Sequence, residues 1–383
     1  MKYIIDKQYA IEEKFFKEII ADITKSYQIN GKDIGLVIVA HILIDAIPFL
    51  EALSSIFSID VVFAKPKSIN QRVMDYLSAK FKIVIADREK IDDISYVSSF
   101  INKKHDGFIL IDIGGYFSSV SNELKDEFGK KFLGSIEDTE NGFLKYISNE
   151  VRYPFYQVAR SPLKTNEDYL VGQAISFSAE SIFREHGILL NGQKVGVIGY
   201  GKIGGGVANA LKARQSIVFV NDIDPVKVIH SYSHGFIPQD KESLLKDADI
   251  ICLASGNSSL VTSDIPMIKS GAYVFTVTSS DNEIDMKWLK ENYLSSEISP
   301  MVTKYYKGNH FFYIINDGNA INFIHGTTVS TFILLVQAEL ISCALALVSH
   351  AVIDSTYSIE NKIRQKIAQI WLKLFASKYN HVK

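Results

Sequence analysis

Cysteine is scarce: the 383 residues include only two, Cys252 and Cys343, each within an apolar run. Two thiols so placed exclude a disulfide framework and a metal centre, and they read as small buried hydrophobes of a reduced cytosol, so a cytoplasmic location is expected. An excess of either charge is lacking too. The 41 Lys+Arg against 43 Asp+Glu leave a formal net charge of -2, which offers no basic field to a nucleic acid. Only 8 prolines interrupt a chain that is 47% hydrophobic, so large cores can form, and the length allows two ordinary domains. The opening Met-Lys-Tyr-Ile-Ile-Asp-Lys puts charges where a secretory leader needs an apolar core, so export is not expected. One stretch, 331–349, is apolar enough to suggest a membrane, but Gln337 and Glu339 fall near its middle. A buried helix, able to serve at a subunit contact, is the better reading, and no membrane partner is expected. Repeats of fixed period and low-complexity tracts are absent.

What is present is organised around residues 194–225. The apolar Val195, Val197 and Ile198 read as a buried parallel strand, Gly199-x-Gly201-x-x-Gly204 as a turn, and 207–214 as the following helix. Glycine is needed there because a Cβ would block both the tight turn and the approach of a pyrophosphate, which the helix N-terminus attracts. A second strand, 217–220, runs to Asp222, where a carboxylate would bind a ribose diol and repel a 2′-phosphate. NAD, not NADP, is the expected cofactor.

Around this core the periodicity predicts an α/β chain. A helix over 8–25, a strand over 34–40, a helix over 45–57 and a strand over 59–64 begin a first parallel sheet, with further strands at 81–86 and 107–111. A long helix from about 160 to 186 connects to the glycine turn. Beyond it come a helix near 226–235, strands at 249–254, 272–277, 301–305 and 310–315, the apolar helix, and a basic amphipathic helix after Ile353. Ligands of such sheets gather at the carboxyl ends of strands, which draws attention to His41 and Asp112.

From about 34 to 345 the chain resembles the S-adenosylhomocysteine hydrolase family. The matching blocks are Gly199-Tyr200-Gly201 with Gly204 and Gly206, Asp222-Ile223-Asp224-Pro225, Glu283-Ile284-Asp285-Met286-Lys287-Trp288-Leu289, and Gln337-Ala338-Glu339-Leu340. The resemblance implies two doubly wound parallel-sheet domains: a split substrate domain (1–172 and 323–350), an inserted Rossmann NAD domain (173–322) and a tail (351–383). It implies a homodimer or homotetramer acting on a small nucleoside. In the family reaction the ribose 3′-hydroxyl is oxidised, the 4′ proton is removed, the 5′ thiol leaves, water adds, and the ketone is reduced back.

Carried over residue by residue, Lys164 and Asp168 fall on the family's pair that holds the 2′ and 3′ hydroxyls, and their spacing places them on one helical face. His41 falls on the His near the leaving group, with Asp45 as a substrate-contacting acid. Asp138 replaces a substrate-contacting Glu, and His325 stands for the His that closes over adenine. The expected cofactor residues are Gly199, Gly201, Lys202, Ile203, Gly204, Asp222, Ser255 and Asn322. The departures bear on elimination. Of two family aspartates, Asp112 remains while the proposed 4′ base becomes Ile113, and strand alternation points Asp112 to the opposite face. Tyr169, Gln173, Ser279 and the segment Thr139-Glu140-Asn141 replace family residues around the nicotinamide or the catalytic Asp, and the tail lacks the family's Lys and Tyr. Two functions follow as expectations: an NAD-dependent nucleoside enzyme, or a catalytically impaired homologue that binds NAD or nucleoside as a sensor. A simple 2-hydroxy-acid dehydrogenase fits poorly, because the Lys/Asp and Glu-Ile-Asp blocks would have no role.

Overall fold

A computed structural model describes residues 2–27, 33–277, 283–322, 324–325, 329–350 and 357–376. The chain divides into two compact units, 1–164 with 330–383, and 165–329. Each is built on a parallel sheet with helices on its faces, the architecture that continuous apolar strands require.

In the first unit, strands β1 (Ile34–Ile42), β2 (Ser58–Ile69), β3 (Ile83–Ile85), β4 (Gly107–Asp112), β5 (Phe132–Glu137) and β6 (Phe155–Gln157) lie in the order β3-β2-β1-β4-β5-β6, all parallel. The strand order reverses between β1 and β4, so their carboxyl ends open a crevice, with His41 on one lip and Asp112 on the other. β2 runs five residues beyond the predicted 64, to Ile69, which brings Lys65 and Ser68 to the same edge. β5 and β6 were not legible in the sequence, because β6 is short and β5 is broken by Gly134.

One face of this sheet is covered by helices Lys2–Tyr27, Ile333–Val348 and Asn361–Phe375, with Phe15, Phe16, Ile19, Ile341, Ile363 and Ile367 in a shared core. The apolar helix is therefore a core element of the first unit, and all but one of its residues are buried. Cys343 lies inside it and Cys252 inside the other sheet, both fully buried, with burial pushing each thiol well up.

The second unit repeats the plan. Strands β7 (Lys194–Ile198), β8 (Ile217–Asn221), β9 (Ile237–Pro238), β10 (Ile250–Leu253), β11 (Tyr273–Thr276), β12 (Leu294–Ser299), β13 (Val302–Lys307) and β14 (His310–Ile315) order as β12-β13-β14-β11-β10-β7-β8-β9. The run from β14 to β9 is parallel, and β12 and β13 add an antiparallel edge. The helix after β7 starts at Lys202, not at 207 as the sequence suggested. Three helical glycines cost about 1 kcal/mol each relative to alanine, but two are sterically required. A Cβ on Gly204 would sit 2.0 Å from the Gly199 carbonyl oxygen, and one on Gly206 would sit 2.8 Å from the Tyr169 carbonyl oxygen. Gly172, on the helix Pro162–Glu185, faces Gly206 equally closely, so the two helices meet backbone to backbone.

Candidate active site

The second unit holds the glycine turn. Gly199 adopts φ +99°, a conformation that favours glycine, and a Cβ there would meet Ala254 and Ser255 backbone at 2.6 Å. Above Gly201 a Cβ would meet nothing within 4 Å, so open space lies at the N-terminus of the 12-residue helix Lys202–Ala213. Backbone amides and the helix dipole at that point suit a pyrophosphate. Asp222, after β8, accepts from the amides of Tyr200 at 2.6 Å and Asp224 at 2.9 Å, which locks the carboxylate beside the turn. Asp168 makes an ion pair with Lys202 at 3.4 Å, so the second predicted catalytic acid stands at the start of the turn helix.

After β10, Ser255 Oγ donates to Glu283 Oε2 at 2.9 Å and the Gly256 amide to Oε1 at 2.6 Å. Buried Glu283 thus shapes the loop opposite the glycines. Asn322 is buried, and among the described residues its Oδ1 has no hydrogen-bond partner. An orphaned acceptor costs about 1–3 kcal/mol, which a bound donor would relieve. The turn, the open space above Gly201, Asp222 and Asn322 together fit NAD. His325 is exposed, with its ring edge-on to Phe177 at 5.9 Å. Ser279 lies outside the described residues.

In the first unit, Lys164 makes a 3.1 Å ion pair with Asp138, and both residues are about nine-tenths buried. The helix that carries Lys164 starts at Pro162 behind Ser161, whose Oγ accepts from the Leu163 amide at 3.1 Å and donates to Glu339 Oε2. Glu339 also accepts from Arg364 Nε at 2.7 Å. Two residues earlier, Gln337 donates to Asp45 Oδ2 at 3.1 Å. The two polar residues that argued against a membrane span therefore hold two stretches of the candidate site from inside the core.

His41 Nδ1 bonds Ser68 Oγ, and Ser68 in turn donates to the Lys65 carbonyl at 3.4 Å. Ser68 then accepts from Nδ1–H, leaving Nε2 as the unprotonated nitrogen. Burial holds the His41 pKa well below its ordinary value, and the Lys65 and Lys164 charges push the same way, so the imidazole is neutral. Burial also raises the Asp45 carboxyl.

Asp112 is fully buried and its carboxylate turns back into its own loop, accepting from Tyr116 N at 3.1 Å, Phe117 N at 2.8 Å and Tyr146 Oη at 2.8 Å. Ile113 packs in the apolar cluster beneath. Sequence reasoning missed Lys65 and Glu137. Glu137 is fully buried, accepts from the amides of Gly114, Gly115 and Thr139, and is pushed up to about 8 by burial and by neighbouring Asp112. Lys65 is brought down to about 8 by burial. A lysine closing the apolar run 61–64 was the available signal for it.

Residues 173–328 match the family described as S-adenosyl-L-homocysteine hydrolase, NAD binding domain. Over that segment, less than half of its length, the chain is similar to the S-adenosyl-L-homocysteine hydrolases. It is 27% identical to the adenosylhomocysteinase of Acinetobacter baylyi over 59% of its own length, spanning 52%, about half, of that relative. To the adenosylhomocysteinase of Thermoplasma volcanium it is 23% identical, covering 93% of this chain and 90% of the relative. Among solved structures, dipicolinate synthase A chain from Bacillus subtilis is 14% identical with a TM-score of 0.44, covering 84% of this chain and 98% of that one.

The matched segment begins within the helix Pro162–Glu185 and contains the glycine turn, Asp222, Ser255, Glu283 and Asn322, so the cofactor of the chain is NAD. Its predicted site residues gather in two sets. His41, Lys164 and Asp138 stand together in the first unit with the unforeseen Lys65, whereas Asp168, Lys202, Gly199, Gly201, Ile203, Gly204 and Asp222 surround the turn in the second.

Proposed function

We propose that the chain is an NAD-dependent enzyme of the adenosylhomocysteinase kind, oxidising the ribose 3′-hydroxyl of S-adenosylhomocysteine or a related nucleoside. The observation that carries this reading is the buried Lys164–Asp138 ion pair in a chain whose other unit is an NAD-binding domain. When bound, NAD supplies a hydride acceptor that can later return the hydride.

This chain's residues do the rest. Lys164, held in place by Asp138, hydrogen-bonds the ribose hydroxyl and, once it has released its own proton to solvent, takes up the hydroxyl proton as charge develops. Asp168, further along the same helix, holds Lys202 at the cofactor turn of the second unit. Neutral His41, with Nδ1–H fixed on Ser68, presents Nε2 as a proton acceptor and donor on the 5′ side. Asp222 would receive the cofactor's ribose diol, and the buried Asn322 Oδ1 would accept from a donor of the cofactor. Incubating the protein with S-adenosylhomocysteine and NAD, then quantifying adenosine and free thiol, tests the reading. Steady release of both is expected, and no conversion of that or any other adenosine thioether would overturn it.

A second reading has its own support, since Ile113 offers no base and the Asp112 carboxylate is already satisfied by three donors. On that reading the chain binds NAD or nucleoside without turnover, as a sensor or partner-binding protein, and steady product formation would exclude it.

A further inference from the structure

Three cations converge on the glycine turn that follows β4. Lys65 Nζ donates to the Ile113 carbonyl at 3.1 Å, while Arg88 Nη2 and Lys145 Nζ donate to the Gly114 carbonyl at 3.1 and 3.3 Å. The guanidinium carbon of Arg88 lies over the Tyr116 ring, 3.9 Å from its centroid. A Cβ built on Gly114 would lie 3.5 Å from Lys65 Nζ and 3.6 Å from Arg88 Nη2, so two like charges approach one point in space. Gly114 has φ +104°, which keeps that point clear of a side chain.

Like charges this close repel unless something negative sits between them. The nearby carboxylates attract the cations from a distance, Glu137, Asp112 and Asp138 acting on Lys65 and Asp112, Glu137 and Asp92 on Lys145, but none closes on them as an ion pair. Asp112 and Glu137 spend their oxygens on backbone amides and on the Tyr146 and Thr139 hydroxyls, and neither they nor Asp138 or Asp92 forms an ion pair with the three cations. Lys65 is buried at the floor of the cluster, whereas Arg88 and Lys145 are exposed at its mouth. Each cation gives only one hydrogen bond to a carbonyl, which leaves ammonium and guanidinium donors for a further acceptor. Burying an ammonium beside two other cations with no ion-pair partner among the described residues is costly, and a bound anion would repay it.

We infer that Lys65, Arg88 and Lys145, over the Gly114 turn, form a subsite for an oxyanion, a phosphate or carboxylate group carried by the small-molecule ligand. The inference deepens the proposed function, because it gives the nucleoside a negatively charged substituent at the edge of the sheet that also carries His41. The subsite itself does not need the cofactor or the oxidation step.

The test uses the full-length protein without nucleoside and follows binding of inorganic phosphate by calorimetry, with acetate as the carboxylate arm. Saturable phosphate binding is expected, weakened at least tenfold by Lys65→Met and by Arg88→Ala and unchanged by Lys130→Ala, an exposed lysine outside the cluster. Tighter binding of acetate than of phosphate would assign the carboxylate source. Should Lys65→Met fail to fold, exposed Arg88→Ala still decides the matter. Binding that never saturates, or that is equally strong in Arg88→Ala and the parent, overturns the subsite. That outcome leaves conversion of S-adenosylhomocysteine untouched, so the two proposals fail separately.

Discussion

The two sheets share the order of their first five strands and differ in what closes the first of them. In the second unit β7 runs into Gly199, whose positive φ and missing Cβ open the backbone to a ligand. In the first, the equivalent strand β1 ends around His41, and its neighbour β4 runs into Asp112 and the Gly114 turn. The same crevice between reversing strands therefore presents amides and a helix dipole in one unit, and ionisable side chains in the other. Topology sets where each ligand can sit, and a few residues at the strand ends set which ligand it is.

The strongest way to break this comparison is to disable one unit and ask whether the other notices. Lys164→Met should lower the rate of nucleoside oxidation by about 10²–10³, the usual worth of a positioned proton-transfer group, with NAD affinity changed less than about twofold; stopped-flow kinetics and NAD titration measure the two. An equal loss of NAD affinity would mean that Lys164 does not belong to the first unit's chemistry. The mirror experiment is Gly204→Ala. Its Cβ would strike the Gly199 carbonyl, which cannot move without opening the turn. NAD affinity should fall more than tenfold and the melting temperature should drop, by about 1–3 kcal/mol of overpacking, while phosphate binding in the first unit persists.

A smaller effect separates the two ends of the first sheet. At the end opposite to His41, His105 bridges Asp33 at 2.8 Å and Asp60 at 2.9 Å. Burial lowers the imidazole pKa, but the two carboxylates outweigh it and the net shift is upward. The bridge is therefore fully stabilising below the unfolded histidine value of about 6.5 and weakens as pH rises through the raised folded value. His105→Gln should remove about 1–2 kcal/mol at pH 6, mostly from the buried Asp60 side, and flatten the pH dependence of urea unfolding from 6 to 8. Smallest of all, Lys202→Ala breaks a half-exposed ion pair with Asp168, so thermal unfolding should register less than about 1 kcal/mol.

The strand, glycine turn and acid of the second unit were legible because each residue there has a local geometric duty. Most of the first sheet was legible from its apolar runs. The long reach of core side chains was not. Gln337 and Glu339 read only as polar interruptions of an apolar helix, yet they tie down Asp45 and Ser161 across nearly 300 and 180 residues of sequence. Lys164 was paired in sequence with Asp168, one helical turn away, and the buried partner recorded beside it is Asp138, from another element. Periodicity describes neighbours along one helix or strand, and these partners are brought together only by packing. Asp112 illustrates the converse: alternation turned it from the Ile113 face, and its carboxylate went to the loop amides.

The most direct test is optical. Adding adenosine to the NAD-loaded protein should raise absorbance in the reduced-nicotinamide band, and Lys164→Met should slow that rise by about 10²–10³ while still binding NAD. A flat trace with adenosine and with every adenosine thioether tried, on protein that demonstrably holds NAD, would contradict the assignment of Lys164 and its unit to ribose oxidation.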